Sequence, residues 1–452
     1  MSAPSDTFQL AFEHHAAGRT AEAARLYADV VRANPRHAHA WHQLGCLALA
    51  QGRADLAKDY FVNAVRISGR EPTFHNNLGE CFRNLGMLAE AEASFRQAVR
   101  LDAHYVAPRV NLSWTLLAQS RSGEFDASAR EALAMPRSSA EEHCACAALR
   151  LVRGDLPGGW EEHEWRLDLP GVARPSLPGA RWDGQPLAGQ RVLIAAEQGL
   201  GDTLQFVRYL PQVAERGGQP VLWAPQCLLE LLRDSLPCAV TPREEPPPPC
   251  DLHASLLSLP HLFATTLDTI PNRVPYLRAD EKLVTQWGDR LTAVAGYRVG
   301  ICWHGNPLHP RDRLRSIPAG EFAALGRVSG VRLISLQKGT PSEQLPALAA
   351  ACPVVDLQPE YDVESGAFLN AAAIMRHLDL VVTADTAIAH LAGALGVPVW
   401  TALPIAPDWR WLLARDDSPW YPSMRMFRQT RSGDWPEVFS RLATELAARA
   451  SR

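Results

Sequence analysis

The sequence predicts a chain of two parts, an all-helical repeat region followed by two α/β domains. In the first third, residues of matching type recur every 34 positions, as Gly18, Gly52 and Gly86 do. From residue 191 onward, short apolar runs alternate with helical patterns, which is typical of parallel sheets covered by helices. The 452 residues, 47% of them hydrophobic, are sufficient for a packed core in each part.

The composition argues against several kinds of partner. The chain has 45 basic and 49 acidic residues and a net charge of −4, so neither nucleic acid nor an anionic membrane surface is predicted to bind. The N-terminal residues have neither a basic start nor an apolar core, and no apolar run approaches the ~18 residues of a membrane helix. Nine cysteines lack metal-ligand spacing and form no even set for a disulfide framework. We therefore expect a cytoplasmic protein without membrane insertion.

The helical region is predicted to span residues 1–153. A 34-residue period indicates helix pairs that stack on one another, with a generic helical bundle as the alternative. The pattern resembles tetratricopeptide repeats, and this resemblance implies an α-solenoid whose concave face binds peptide or protein partners. The residues that carry the resemblance are the aromatic column Tyr27, Phe61 and Phe95, and within one unit Trp41, Leu44, Gly45, Ala57 and Ala64.

Three regular repeats are predicted over residues 4–104. The fourth, from 106 to about 138, is expected to be degenerate, with an insertion at Arg121-Ser122 before its second helix, and a capping helix follows over 139–153. Residues 154–190 are rich in proline and glycine but contain three tryptophans, Trp160, Trp165 and Trp182. Because a free linker would leave these large apolar side chains in water, we expect a packed connector.

Two α/β domains are predicted after the connector, over residues 191–280 and 281–452. Their strand and helix signals alternate, which favours parallel sheets with ligands bound at the carboxyl ends of the strands. The final helix, 435–448, has two interpretations, packing on the first domain and packing on the second. The predicted strands are 191–196, 220–224, 238–240, 251–259, 298–303, 331–336, 354–357, 378–383 and 397–402.

The loop after the first of these strands contains Gln198, Gly199, Gly201 and Asp202. Two glycines permit a tight turn and close approach of the backbone to a ligand. The third glycine of a dinucleotide fingerprint is replaced by Leu204 and no acidic residue ends the next strand, so a nicotinamide enzyme is not predicted. The sequence also has no Gly-x4-Gly-Lys-Ser/Thr phosphate loop. Asp202 has two interpretations, the N-cap of the following helix and a catalytic base.

A second loop, Ala384 to His390, joins a late strand to a helix of small residues. Backbone N–H groups at a helix start lack internal partners and carry partial positive charge, so this turn predicts an anion site that suits a phosphate.

Together the two loops resemble the paired signatures of the bacterial lipopolysaccharide heptosyltransferases. The matching residues are Gly199 to Asp202, then Asp385-Thr386-Ala387 with His390, and the loop from Trp303 to Ser316. The family consists of inverting glycosyltransferases of the GT-B fold, two facing Rossmann-like domains. The order of repeats plus this region resembles bacterial repeat-containing glycosyltransferases, some of which are thought to modify flagellin.

The resemblance implies a role for each matching residue. Asp202, in the acceptor-side domain, corresponds to the general base, and Asp385, Thr386, Ala387 and His390 correspond to the site of the leaving nucleotide phosphate. Thr386 as a plain N-cap and His390 as a core histidine are the alternatives. The family works without a bound metal, so neither a metal nor a cofactor is predicted, only a nucleotide-sugar co-substrate.

Cations near the phosphate are expected from the loop between 304 and 316. The family has a lysine near this place, and here His309, Arg311, Arg313 and Arg315 occur, of which we favour Arg313 or Arg315 because an arginine fork binds phosphate bidentately. Lys338, after another strand, is a further candidate, with an exposed solvated lysine as its alternative.

Further contacts to the sugar or base are predicted from residues in the strand-end loops. Trp409 has two interpretations, stacking on the ligand and packing between the domains. The other candidates for these contacts are Gln198, His304 and Asn306.

The sequence thus favours an inverting glycosyltransferase that transfers a sugar from a nucleotide-activated donor to a hydroxyl of a protein held by the repeats. A flagellin-like acceptor is included because the resemblance implies it. The alternatives are a non-catalytic scaffold that binds nucleotide, and a transferase that acts on a lipid-linked glycan.

Overall fold

The computed structural model describes residues 4–170, 175–307, 312–358 and 368–451. The chain divides into two compact units. One comprises the chain up to Cys146 together with the described residues 312–314, and the other comprises the remaining chain from Ala147.

The first unit consists of helix pairs repeated along the chain. Four pairs begin at Pro4, Ala38, Pro72 and Val106, and these starts are 34 residues apart, as the sequence predicts. The helices are α1 Pro4–Ala16, α2 Thr20–Ala33, α3 Ala38–Ala50, α4 Ala54–Ile67, α5 Pro72–Asn84, α6 Leu88–Leu101, α7 Val106–Ala118, α8 Ser122–Ala134 and α9 Ala140–Val152, the last of which continues into the second unit.

The fourth pair is as regular as the other three, so the predicted insertion at Arg121-Ser122 is wrong. Helix α8 begins at Ser122, 34 residues after α6 begins. Ser120 occupies the turn position of Gly18, Gly52 and Gly86 and has a φ of 63°, close to the left-handed values of those glycines. A serine therefore adopts the turn conformation that glycine favours, and the sequence pattern is lost while the geometry is kept.

The second unit contains two parallel sheets. The first has the strand order β1-β5-β2-β3-β4. Its strands are β1 Ala180–Arg181, β2 Arg191–Ala195, β3 Gln219–Ala224, β4 Ala239–Pro242 and β5 Leu252–Ser255. The helices of this part are α10 Leu156–His163, α11 Leu200–Phe206, α12 Leu210–Glu215, α13 Leu229–Ser235 and α14 Leu259–Leu262.

The predicted connector packs onto this first sheet. Its residues Ala180 and Arg181 form β1, which pairs with β5. Trp160 and Trp182 are buried, whereas Trp165 is 43% exposed, so two of the three tryptophans behave as predicted.

The second sheet has the order β11-β10-β9-β6-β7-β8. Strand β11 is absent from the sequence prediction. The strands are β6 Tyr297–Cys302, β7 Val331–Ser335, β8 Val354–Val355, β9 Leu380–Thr383, β10 Val399–Leu403 and β11 Met424–Arg428. The helices are α15 Glu281–Leu291, α16 Asp312–Arg315, α17 Ala323–Gly326, α18 Leu345–Ala351, α19 Leu369–Met375, α20 Ala387–Ala394 and α21 Trp435–Ala450.

Helix α21 belongs to the core of the second sheet. Its apolar face, including Val438, Phe439 and Leu442, packs with Trp303 and Phe322 in one buried cluster. The fold class predicted from the sequence is confirmed as a helical repeat region followed by two parallel-sheet α/β regions. The predicted domain bounds stay predictions. Within the described ranges no helix has the length and apolar character needed to cross a membrane.

Candidate functional site

Asp202 lies in the first turn of α11, at the carboxyl end of β2. The helix begins at Leu200 with Gly199 as its N-cap, so the interpretation of Asp202 as the N-cap is wrong. Instead, Asp202 Oδ2 accepts a hydrogen bond of 2.8 Å from the N–H of Gly199. Thus one carboxylate oxygen fixes the loop, and the other is directed elsewhere.

The second oxygen of Asp202 is paired with Arg410, a residue that the sequence analysis did not select. Arg410 Nη2 donates to Asp202 Oδ1 across the boundary between the two α/β domains. The same guanidinium donates to Gln205 Oε1 at 2.7 Å and to Asp408 Oδ1 at 2.9 Å. Its carbon lies 4.1 Å from the centre of the Trp409 ring. Arg410 is therefore held by both domains.

The turn before α20 has the predicted helix-start geometry. Thr386 is the N-cap, and its hydroxyl accepts from the N–H of Ile388 at 3.2 Å and lies 3.2 Å from the Thr383 hydroxyl. Since this hydroxyl already caps the helix, the N-cap interpretation of Thr386 accounts for its buried position. Ala387 is half-buried, whereas Asp385 and Thr386 are buried.

The two loops meet directly. A Cβ atom placed on Gly201 would lie 3.1 Å from Cδ2 of His390 and 3.5 Å from Cα of Ala387. Gly201 thus permits the first turn of α11 to approach the first turn of α20. The structure therefore brings together Asp202 and the predicted phosphate turn, which are almost 200 residues apart in the chain.

His390 is buried beside aromatic side chains. Its Nδ1 lies 2.9 Å from the Tyr421 hydroxyl, and its ring stacks on Trp411 with centroids 5.3 Å apart. Burial, reinforced by the charges of Arg410 and Arg208, lowers the pKa of His390 to about 3. The imidazole is therefore neutral near pH 7. When the Tyr421 hydroxyl donates to Nδ1, the proton lies on Nε2, and the ring offers a donor without a charge.

Asp385 and Arg315 lie next to each other at the start of the turn. Arg315 Nη1 donates to the backbone oxygen of Asp385 at 3.1 Å. Burial, followed by the charge of Asp408, raises the pKa of Asp385 to about 6, against the opposing charge of Arg315.

Of the arginines between 304 and 316, the structure places Arg315 at the turn. Arg313 is exposed on α16. His309 and Arg311 lie outside the described residues.

The loop at His304 is held by Gln337, a buried residue that the sequence analysis missed. Its Oε1 accepts from the N–H groups of Trp303 and His304 at 3.1 Å and 2.9 Å, and its Nε2 donates to the oxygen of His304 at 3.1 Å. A glutamine directly after an apolar strand is the signal that could have identified it. Among the predicted residues nearby, Lys338 is half-buried and Asn306 is exposed.

The other two residues predicted to contact the sugar or base, Gln198 and Trp409, differ in burial. Gln198 is exposed and has a φ of 59° before α11. Trp409 is buried between Trp160 at 5.3 Å and Trp420 at 6.3 Å, so packing between the domains accounts for its position.

The connector also contacts the loop after β2, the central strand of the first sheet, through an ion pair. Arg166 Nη2 donates to Glu197 Oε1 at 2.6 Å, and Nη1 donates to Glu164 Oε1 at 2.8 Å. Glu197 directly precedes Gln198, so this buried pair fixes the start of the loop that carries Asp202.

Over the described part of the chain, no group of three or more His, Cys, Asp or Glu side chains is arranged to hold a metal ion. Metal independence stays a prediction.

Two segments of the chain are similar to known protein families. Residues 42–106 match the tetratricopeptide repeat model, and residues 321–402 match glycosyltransferase family 9 (heptosyltransferase). The second match includes the Asp385 to His390 turn but not Asp202. The chain is thus similar to tetratricopeptide repeats in one segment and to glycosyltransferase family 9 in another.

A curated relative has similarity over most of the chain. Protein FlbA of Caulobacter vibrioides is 26% identical over 458 aligned positions, which cover 94% of this chain and 75% of FlbA. Among solved structures, a tetratricopeptide-repeat protein of Thermus thermophilus is 21% identical and covers 37% of this chain and 91% of its own, with a TM-score of 0.33. PilF of Pseudomonas aeruginosa is 17% identical over 38% of this chain and 78% of its own, with a TM-score of 0.31.

Proposed function

We propose that this chain is an inverting, metal-independent GT-B glycosyltransferase that transfers a sugar from a nucleotide-activated donor to a hydroxyl of a protein acceptor. The family 9 match supports glycosyltransferase activity. The observation that carries the rest is the direct contact between the loop of Asp202 and the turn of His390. Displacement at an anomeric carbon requires a base and an anion-binding group within reach of one substrate, and this contact brings Asp202 and the start of α20 together.

In the proposed reaction, Asp202 accepts the proton of the acceptor hydroxyl as its oxygen attacks the anomeric carbon. The bond between that carbon and the phosphate oxygen breaks with its electron pair, and the leaving group is a nucleoside phosphate or diphosphate. The start of α20 and the guanidinium of Arg315 stabilise this negative charge, and neutral His390 supplies a hydrogen bond.

The acceptor is proposed to bind to the repeats. The first helices of three successive repeats, α3, α5 and α7, share a network of polar side chains. Asn111 donates to Asn76 at 3.0 Å, Asn76 donates to Asn77 at 3.1 Å, and Asn77 lies 2.9 Å from His42. Amide groups can both donate to and accept from a polypeptide, which supports a protein acceptor. A flagellin-like acceptor and a cytoplasmic location remain parts of this proposal.

The first experiment identifies the donor. UDP-, GDP-, ADP- and CMP-linked sugars are added separately to the full chain, and its melting temperature is measured. A donor that binds the native state alone should raise that temperature. If none of the four nucleotide sugars raises the melting temperature, the proposal is contradicted.

The second experiment tests the base. We expect Asp202→Asn to lower the transfer rate by about 10²–10⁴ without weakening nucleotide binding, because the amide accepts no proton. Asp234, exposed on α13 of the same domain, provides the matched control Asp234→Asn, which should transfer at the original rate. Nucleotide binding without transfer to any acceptor by the original chain would favour the non-catalytic scaffold.

A further inference from the structure

Both carboxylate oxygens of Asp202 are engaged in the structure. Oδ2 accepts from the Gly199 N–H, and Oδ1 accepts from Arg410 Nη2. Arg410 and the Gly199 N–H thus engage both of the oxygens that could take the proton of an acceptor hydroxyl. The pair therefore opposes the role proposed for Asp202 for as long as it persists.

Arg410 is held by groups that do not depend on Asp202. Gln205 Oε1 accepts from Nε, Asp408 Oδ1 accepts from Nη1, and the Trp409 ring lies beneath the guanidinium. Consequently Nη2 can change its partner while the rest of the guanidinium stays in place.

The surroundings of Arg410 are the place where the donor phosphate is expected. Gly201, the residue before Asp202, packs against His390 and Ala387 at the start of α20. Trp411, the residue after Arg410, stacks on the His390 ring. Arg410 therefore lies close to the start of α20 as well as to Asp202. A phosphate bound at that turn would compete with Asp202 for the same guanidinium.

We propose that Arg410 is a ligand of the donor's leaving phosphate and that it exchanges Asp202 for this phosphate when the donor binds. This inference rests on the proposed function and adds a residue and an order of events to it. Donor binding releases Asp202 from its cation, so the base becomes active only when a sugar is in place. As the bond from the anomeric carbon to the phosphate oxygen breaks, the charge on that oxygen is met by Arg410, and the acceptor proton passes to the released Asp202.

A planar fork suits this exchange. A guanidinium presents parallel N–H groups that match either a carboxylate or a phosphate, and it stays charged at every relevant pH. A lysine would provide the charge without the fork.

The test measures nucleotide affinity rather than turnover alone. UDP, GDP, ADP and CMP are titrated calorimetrically into the full chain and its variants Arg410→Gln, Asp202→Asn and the double variant. We expect Arg410→Gln to weaken binding of the preferred nucleotide by about tenfold to a hundredfold. We expect Asp202→Asn to tighten it by about threefold or more, because Arg410 no longer has a competing carboxylate.

The double variant separates release of Arg410 from simple removal of a negative charge. If Arg410 mediates the effect, Asp202→Asn should not tighten binding when Arg410→Gln is also present. The matched control is Arg415→Gln, since Arg415 pairs with Asp417 and has no described contact to Asp202, Asp385 or His390.

Several results would overturn the inference. These are unchanged affinity in Arg410→Gln, unchanged affinity in Asp202→Asn, and tightening by Asp202→Asn that persists in the double variant. If Arg410→Gln does not fold, the single variant Asp202→Asn still tests the inference, because the inference requires this variant to bind nucleotide more tightly. If the unmodified chain binds nucleotide and transfers sugar, any of these results contradicts this inference alone. If the unmodified chain binds none of the four nucleotides, the proposed function is contradicted too.

Discussion

At the scale of the residue, glycine determines how closely the paired helices of a repeat approach. A Cβ atom on Gly79 would lie 2.6 Å from Cε1 of Phe95, and one on Gly45 would lie 2.6 Å from Cε1 of Phe61. In the fourth repeat these columns hold Ser113 and Ala129, so a larger residue on one helix accompanies a smaller one on the other.

We expect Gly79→Ala to lower the free energy of unfolding by about 1–3 kcal/mol, because the added methyl overlaps a buried ring. Chemical denaturation of the full chain provides the measurement. The matched control is Gly123→Ala on α8, where a Cβ atom would meet nothing within 4 Å and where alanine favours the helix. That control should be neutral or stabilising by up to about 1 kcal/mol. Equal losses in both variants would refute the steric explanation.

Among single residues, the sequence identified those that follow strand ends and missed those that act through distant contacts. Asp202 and His390 follow apolar runs, so their position at a strand end is local information. Arg410 pairs with a residue 208 positions away, and only the contact gives it importance. The same holds for Gln337, whose partners follow another strand.

At the scale of the element, the short helix α10 of the connector supports the loop that carries Arg410. Trp160 is buried, its ring lies 5.3 Å from that of Trp409, and its Nε1 donates to Thr265 at 3.0 Å. The connector is therefore part of the second unit rather than a spacer.

Truncation of Trp160 should be costly for this unit. We expect Trp160→Ala to lower the free energy of unfolding by about 3–5 kcal/mol, because it leaves a cavity and an unsatisfied acceptor. Trp165→Ala is the control, since Trp165 is 43% exposed and should change stability by less than about 0.5 kcal/mol. Denaturation followed by tryptophan fluorescence can measure both. A small effect of Trp160→Ala would show that α10 contributes little to the second unit.

Strands were predictable where they form long apolar runs. β2, β6, β9 and β10 are buried over nearly their whole length, so hydrophobicity alone identifies them. β1 consists of two exposed residues, and the apolar residues of β11 are interrupted by Arg425 and followed by Arg428. Both lie at sheet edges, where one side of the strand lacks a neighbour, and so the sequence signal is weak.

At the scale of the whole molecule, the chain joins a repeat array to a candidate transferase. If the repeats capture a protein acceptor, capture of the acceptor and binding of the nucleotide are separable. We expect deletion of residues 1–138, which leaves α9 intact, to abolish transfer to a protein acceptor and to preserve nucleotide binding by calorimetry. Retained transfer would instead favour a lipid-linked glycan as acceptor.

A full-length variant controls for damage caused by the deletion. Replacing Asn77 and Asn111 by alanine removes two members of the amide network and leaves the second unit unchanged. We expect weaker transfer to the protein acceptor with an unchanged affinity for nucleotide. Weaker nucleotide binding in this variant would contradict a role limited to the acceptor.

The sequence by itself determined the 34-residue period, the alternation of strands and helices, and the presence of a carboxylate and a helix start at strand ends. These are local properties, set by hydrophobic spacing and turn residues. Only the tertiary structure decided that Asp202 meets Arg410 in addition to the N-cap residue of its own helix, and that Gly201 packs against His390. The reason is physical, since these contacts depend on how two separate sheets pack, and no local pattern encodes a distance between residues some 200 positions apart.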